Sequence, residues 1–181
     1  VTGVQTCALP ILLTTTSEEI EQKYTSEFLE IAKNKSPKAA LIELRDAIIS
    51  NDELARICHN LTHEIGHLAY ETEGDFAAAV KYQEEICNSG YLHGVIESHF
   101  ESVDDLNSAL FSTCKLEELG VFGFWQCLHG LGHGLMFFTY NDLPKSLEYC
   151  ESLSTEFEKI TCANGVLMEN FAVDQETHSS K

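Results

Sequence analysis

From Thr16 onward, apolar side chains recur at helical spacing. Ile20, Tyr24, Phe28 and Ile31 share one stripe, and Thr16 with Glu19 has the spacing of a capping box. Ser36-Pro37 opens a second helix, with proline at its favoured first position. Asn51-Asp52 starts a third, which runs through a histidine-rich stretch to about Thr72. Beyond it the pattern repeats. Asp75-Phe76-x-x-Ala79-Val80, Asp105-Leu106-x-x-Ala109-Leu110 and Asp142-Leu143-x-x-Ser146-Leu147 each place an acidic helix start before an apolar i, i+3, i+4 face. Each is followed by a second pattern: Cys87-x-x-Gly90, Cys127-x-x-Gly130 and Cys162-x-x-Gly165. Two of these continue alike, to His93-Gly94 and His133-Gly134, whereas Met168 takes the histidine's place in the third.

These intervals predict an all-α domain over residues 12–173, built of stacked antiparallel helical hairpins that are degenerate two-helix repeats. No segment alternates with period two, so no strands are expected. Glycine inside a helix costs roughly 1 kcal/mol relative to alanine. Gly90 with Gly94, and Gly130 with Gly134, therefore mark faces where a neighbouring helix comes close. Residues 119–141 carry no Asp, Glu, Lys or Arg, but they do carry Gln126, His129 and His133, which fits a buried central helix better than a membrane span.

The ends read differently. Val1–Ile11, VTGVQTCALPI, resembles the in-frame translation of a DNA sequencing adapter joined to a metagenomic reading frame, and it is set aside from the fold. Residues 174–181 read as a flexible polar tail.

Charge narrows the partners. The chain has 29 acidic and 11 basic side chains, a net charge of −18, which repels phosphate backbones and anionic lipid and leaves a basic protein as the natural macromolecular partner. With Cys7 set aside, six cysteines remain, which allow 15 pairings. The repeat selects bridges within hairpins, Cys114–Cys127 and Cys150–Cys162, and leaves Cys58–Cys87 as the third. Such bridges imply an oxidising compartment, so the domain is expected to be periplasmic or secreted. No C-x-x-C pair is present to anchor a structural zinc.

The histidines carry the candidate chemistry. His59, His63 and His67 are four apart, hence on one helical face. His63-Glu64-Ile65-Gly66-His67 also satisfies H-E-x-x-H, with uncharged flanks, and resembles the zincin signature. That resemblance implies His63 and His67 as zinc ligands, Glu64 as general base on metal-bound water, and Glu97 as the best downstream carboxylate ligand. Tyr70 and Glu73 stand where a metzincin would continue with glycine and histidine, and the sheet of the zincin fold finds no strands here.

The repeat gives the same residues another reading. His63-x-x-x-His67 pairs with His129-x-x-x-His133, while His93 aligns with them and Glu97 lies one turn beyond it. Helices would then project His63, His67, His93, His129 and His133 towards a common interior, a donor set for zinc first, with copper or iron as alternatives. Met168 at the same level would favour copper(I), with Glu169 beside it. His59, His99 and His178 read as ordinary core or surface histidines. Three function classes follow: a transition-metal-binding helical domain, an HExxH zinc hydrolase, and an acidic interaction scaffold with no metal. Phosphate-cradling glycine loops, nucleophile elbows and basic nucleic-acid patches are absent from the sequence.

Overall fold

Caps and stripes place the first three helices where the pattern puts them. In a computed structural model, which describes residues 16–173, Thr16 caps α1 (Ser17–Asn34) with both halves of the capping box formed. Ser36 caps α2 (Pro37–Ala47), and Asn51 caps α3 (Asp52–Glu73), which ends at Gly74 in the left-handed region at φ 64°. These three helices bury Phe28, Leu41, Leu44, Leu54, Leu61 and Ile65 in a common core. The adapter-like segment, the polar tail and His178 lie outside the described residues.

Short helices then alternate with long ones: α4 (Phe76–Val80), α5 (Gly90–Ser102), α6 (Leu106–Thr113), α7 (Leu116–Phe138), α8 (Leu143–Glu151) and α9 (Glu156–Val173). Asp75 and Asp142 cap α4 and α8 by accepting from Ala78 and Lys145 N–H groups, and Asp105 takes the Ser108 N–H at the start of α6. The long helices pack in chain order, α3 on α5, α5 on α7 and α7 on α9. Among the described residues there are no strands, and the chain is all-α. The uncharged stretch is mostly α7, whose Leu128, Leu131, Leu135 and Met136 are buried in a second core with Ile96 and Phe100 of α5. Among the described residues no helix is long and apolar enough to cross a membrane.

Glycines let the long helices touch. A Cβ on Gly94 would meet the His63 carbonyl, and one on Gly66 would meet the Tyr91 carbonyl and the Val95 nitrogen. The same contact recurs between α7 and α9, where Gly165 faces the His129 carbonyl and Gly132 faces the Cys162 carbonyl and Val166 nitrogen. Gly130 and Gly134 make room for side chains instead, those of His93, Ile96 and Phe100.

Disulfides join Cys58–Cys87, Cys114–Cys127 and Cys150–Cys162, the pairing the repeat selects. One unit departs from the pattern. Cys127 and Cys162 sit inside their helices, but Cys87 lies before α5, in a single 3₁₀ turn whose residues Cys87, Asn88 and Ser89 all have positive φ (50°, 52° and 60°). Three consecutive non-glycine residues in that region are strained by roughly 1–2 kcal/mol each. The bond to Cys58 ties this turn to α3, and the turn aims the Cys87 carbonyl at the site described next.

Candidate metal centre

Three helices supply the site. Spacing by four puts His59, His63 and His67 on the face of α3 that meets α5, and His129 and His133 on the face of α7 that meets α5 from the other side. His93, on α5, lies between them: its ring centroid is 5.4 Å from His63, 5.5 Å from His59, 5.7 Å from His129 and 4.5 Å from His133. The close helix approach at Gly94 and Gly66 is what brings these rings within reach.

Hydrogen bonds fix the tautomers on α3. His59 Nδ1 lies 2.8 Å from the Cys87 carbonyl oxygen, which can only accept, so Nδ1 carries the proton. His63 Nδ1 faces the Glu97 carboxylate at 3.2 Å, so it too is the donor. In the neutral rings both Nε2 atoms are then bare lone pairs, and they face each other at 3.1 Å. Two lone pairs at that distance repel unless a cation lies between them. On α7, His133 Nδ1–H donates to Glu169 at 2.7 Å, and His133 Nε2 is 3.2 Å from His129 Nε2, within reach of an Nε2–H hydrogen bond from His129.

Burial weakens proton binding at several of these imidazoles. Burial first, and the neighbouring His63 second, push His59 below its ordinary pKa. Burial and His133 likewise lower His129, to about 4. His93 is lowered by burial and by the surrounding imidazoles. A metal ion fits the spacing of the nitrogens. Metal–nitrogen bonds of about 2.0–2.1 Å at a tetrahedral centre set ligand nitrogens a little over 3 Å apart. Both Nε2 pairs stand at that separation.

Ligating atoms converge in three groups within 4.8 Å of one another: His59, His63 and His93; His93, His129 and His133; and His63, His67 and Glu97. The third group is joined by hydrogen bonds. His67 Nε2–H donates to Glu97 at 2.8 Å, and although burial alone lowers the His67 pKa, Glu97 outweighs it and raises it. Burial alone raises the Glu97 carboxyl, but the charges and hydrogen bonds of His63 and His67 hold it well below the usual carboxylate range.

No family model, curated protein or solved structure matches this chain. The site's chemistry therefore rests on its own geometry.

The sequence-derived residues fall into place unevenly. His63, His67, His93, His129, His133 and Glu97 are brought together. Glu64 is not. It is exposed on the side of α3 that faces α1, beside Glu21, Gln22, Thr25, Ser26 and Asn60, because one residue along a helix rotates the side chain by about 100°. Met168 is 47% exposed on α9, and its neighbour Glu169 is the side chain that turns in to His133. Sequence reasoning passed over His59, which the structure puts in the first triad. Its i, i+4 spacing to His63 was the available signal; the Cys87 carbonyl that orients it was not readable. His99 has the ordinary role expected, bonded to the Tyr70 hydroxyl at 3.1 Å and packed on Phe76.

Proposed function

We propose that this domain binds a transition-metal ion through imidazole nitrogens held between α3, α5 and α7. The observation that carries this reading is the facing Nε2 pair of His59 and His63. Both Nδ1 atoms are committed to oxygen acceptors, which leaves the two Nε2 atoms 3.1 Å apart, close to the separation of two nitrogens on one metal ion. The outer hydrogen bonds from His59 to Cys87, His63 to Glu97 and His133 to Glu169 match the way metal-ligating histidines are oriented by a second partner. An all-imidazole set suits zinc, copper or iron(II), with zinc first. Thioether ligation by Met168 is not part of this reading, since that side chain is exposed.

The hydrolase reading with Glu64 as base has weaker support. A base must reach metal-bound water by hydrogen bonding, and Glu64 faces α1. The three disulfides point to an oxidising environment, and we place the domain in the periplasm or outside the cell. The helical-hairpin repeat is the scaffold this reading assumes: equivalent long helices at α3, α5 and α7 present histidines from equivalent turns.

The test is calorimetric titration of chelator-stripped protein with zinc. Saturable binding that weakens at least tenfold in both His63→Ala and His133→Ala supports the reading, since loss of an orienting partner alone costs about 10- to 100-fold. Heat that is unsaturable, or unchanged by both substitutions, overturns it.

A further inference from the structure

His93 differs from every other histidine in the cluster. It is 1% exposed, and neither its Nδ1 nor its Nε2 has a hydrogen-bond partner. A buried imidazole with both nitrogens orphaned is costly, because each unmade bond forfeits the solvation water supplied. Ligation of one metal ion satisfies one nitrogen only. The other then needs an acceptor, as His59 has in Cys87, His63 in Glu97 and His133 in Glu169. None is present for His93. Yet His93 belongs to two separate triads, one completed by His59 and His63 and the other by His129 and His133. Gly130 of α7 leaves room for its ring in that position, since a Cβ there would come within 2.9 Å of the His93 Cδ2.

We infer that the domain holds two metal ions, one in each triad, bridged by the His93 ring as an imidazolate. This rests on the metal-binding reading above and deepens it. Each ion takes two Nε2 atoms from a single helix, α3 or α7, and one nitrogen of His93. Neutral His93 releases its remaining N–H proton to solvent as the second ion binds, and no electron changes hands. With metal–nitrogen bonds of about 2 Å on either side of the ring, the ions stand on the order of 6 Å apart. Glu97 and Glu169, behind the two pairs, offset part of the added charge. Three protein ligands per ion leave a further coordination position on each, the mark of a reactive rather than a purely structural site.

The experiment uses the whole domain with its disulfides intact. Chelator-stripped protein is loaded with zinc or with cupric ion, freed of excess by gel filtration, and analysed for metal content. Two ions per chain are expected, falling to one in His63→Ala and to one in His129→Ala, one for each triad. The dicupric form should lose most of the isolated-cupric paramagnetic signal through coupling across the bridge. His93→Gln, which keeps a polar side chain of similar reach, should restore that signal for whatever copper remains. Trp125, the single tryptophan, stacks on His129 at 5.9 Å, so cupric ion should quench it more strongly in His63→Ala, where the second triad is filled, than in His129→Ala. One ion per chain in the unmodified domain, or two ions with no coupling and no response to His93→Gln, overturns the bridge while leaving metal binding standing. No retained metal overturns both. Retained helical circular dichroism and an intact Cys58–Cys87 bond show that a variant's loss is local.

Discussion

At the scale of single residues, the site is organised by which nitrogen each imidazole can offer. The Cys87 carbonyl and the Glu97 carboxylate each accept a hydrogen bond from Nδ1–H, and this leaves Nε2 of His59 and His63 as the free lone pairs before any ion arrives. Glu97→Gln removes the charge and keeps the shape, and is expected to weaken zinc binding about 10- to 100-fold in a competition titration, as loss of an orienting partner does. Glu64→Gln should leave zinc affinity unchanged in the same assay, because Glu64 lies beside Glu21 and Gln22 of α1. The HExxH reading also makes Glu64 a base and not a ligand, so what would revive it is peptide hydrolysis by the zinc-loaded domain that is lost in Glu64→Gln. His63, His67, His129 and His133 were legible as a set, since helical spacing maps directly onto a face. His59 was legible too, by the same spacing, but a lone histidine before the motif looked ordinary. Glu169 was not legible as a partner of His133, because its inward turn depends on the angle between α7 and α9.

At the scale of elements, helix–helix distance decides whether the rings meet. Gly94 against the His63 carbonyl and Gly165 against the His129 carbonyl bring helix backbones into contact, so a methyl group has nowhere to go. Gly94→Ala is expected to destabilise by about 1–3 kcal/mol, the cost of overpacking a tight interior, and to weaken zinc binding as α5 moves away from α3. Chemical denaturation and zinc titration of one variant check both. The disulfides act on the unfolded chain. Cys114 and Cys127 are 13 residues apart, and replacing both with alanine should cost about 3 kcal/mol by denaturation while sparing the α3 triad. Cys58 and Cys87 differ: they pin the strained turn whose carbonyl orients His59, so their removal should lower metal affinity as well. Pairing was readable because Cys114–Cys127 and Cys150–Cys162 recur in register. The strained 3₁₀ turn at Cys87 was not, since nothing in Cys-Asn-Ser announces three left-handed residues in a row.

At the scale of the whole molecule, the histidine cluster couples folding to pH. In the metal-free protein His59, His93 and His129 are lowered from the ordinary value of 6.5, so the unfolded chain binds more protons below that pH. Stability should therefore fall as pH drops from about 6.5, continuing through the His129 value of about 4. Glu97, lowered from 4.5, adds a further loss at the acid end of that range. His67 works oppositely: its pKa is raised, so its contribution is complete below 6.5 and fades as pH climbs through the folded value. Thermal melts of chelator-stripped protein across that range should show the acid limb, and a flat profile would mean the imidazoles are not buried as described. The all-α class and the long helices were legible from apolar spacing and acidic caps. Which helix faces which was not, because α5 takes its place between α3 and α7 through glycine contacts that only the assembled backbone reveals.

X-ray absorption at the metal edge of zinc-loaded protein tests the central claim most directly. A first shell of nitrogen at about 2.0–2.1 Å, with the outer-shell scattering of imidazole rings and no sulfur near 2.3 Å, is the predicted spectrum. A sulfur shell, an all-oxygen shell, or no metal surviving gel filtration would contradict it.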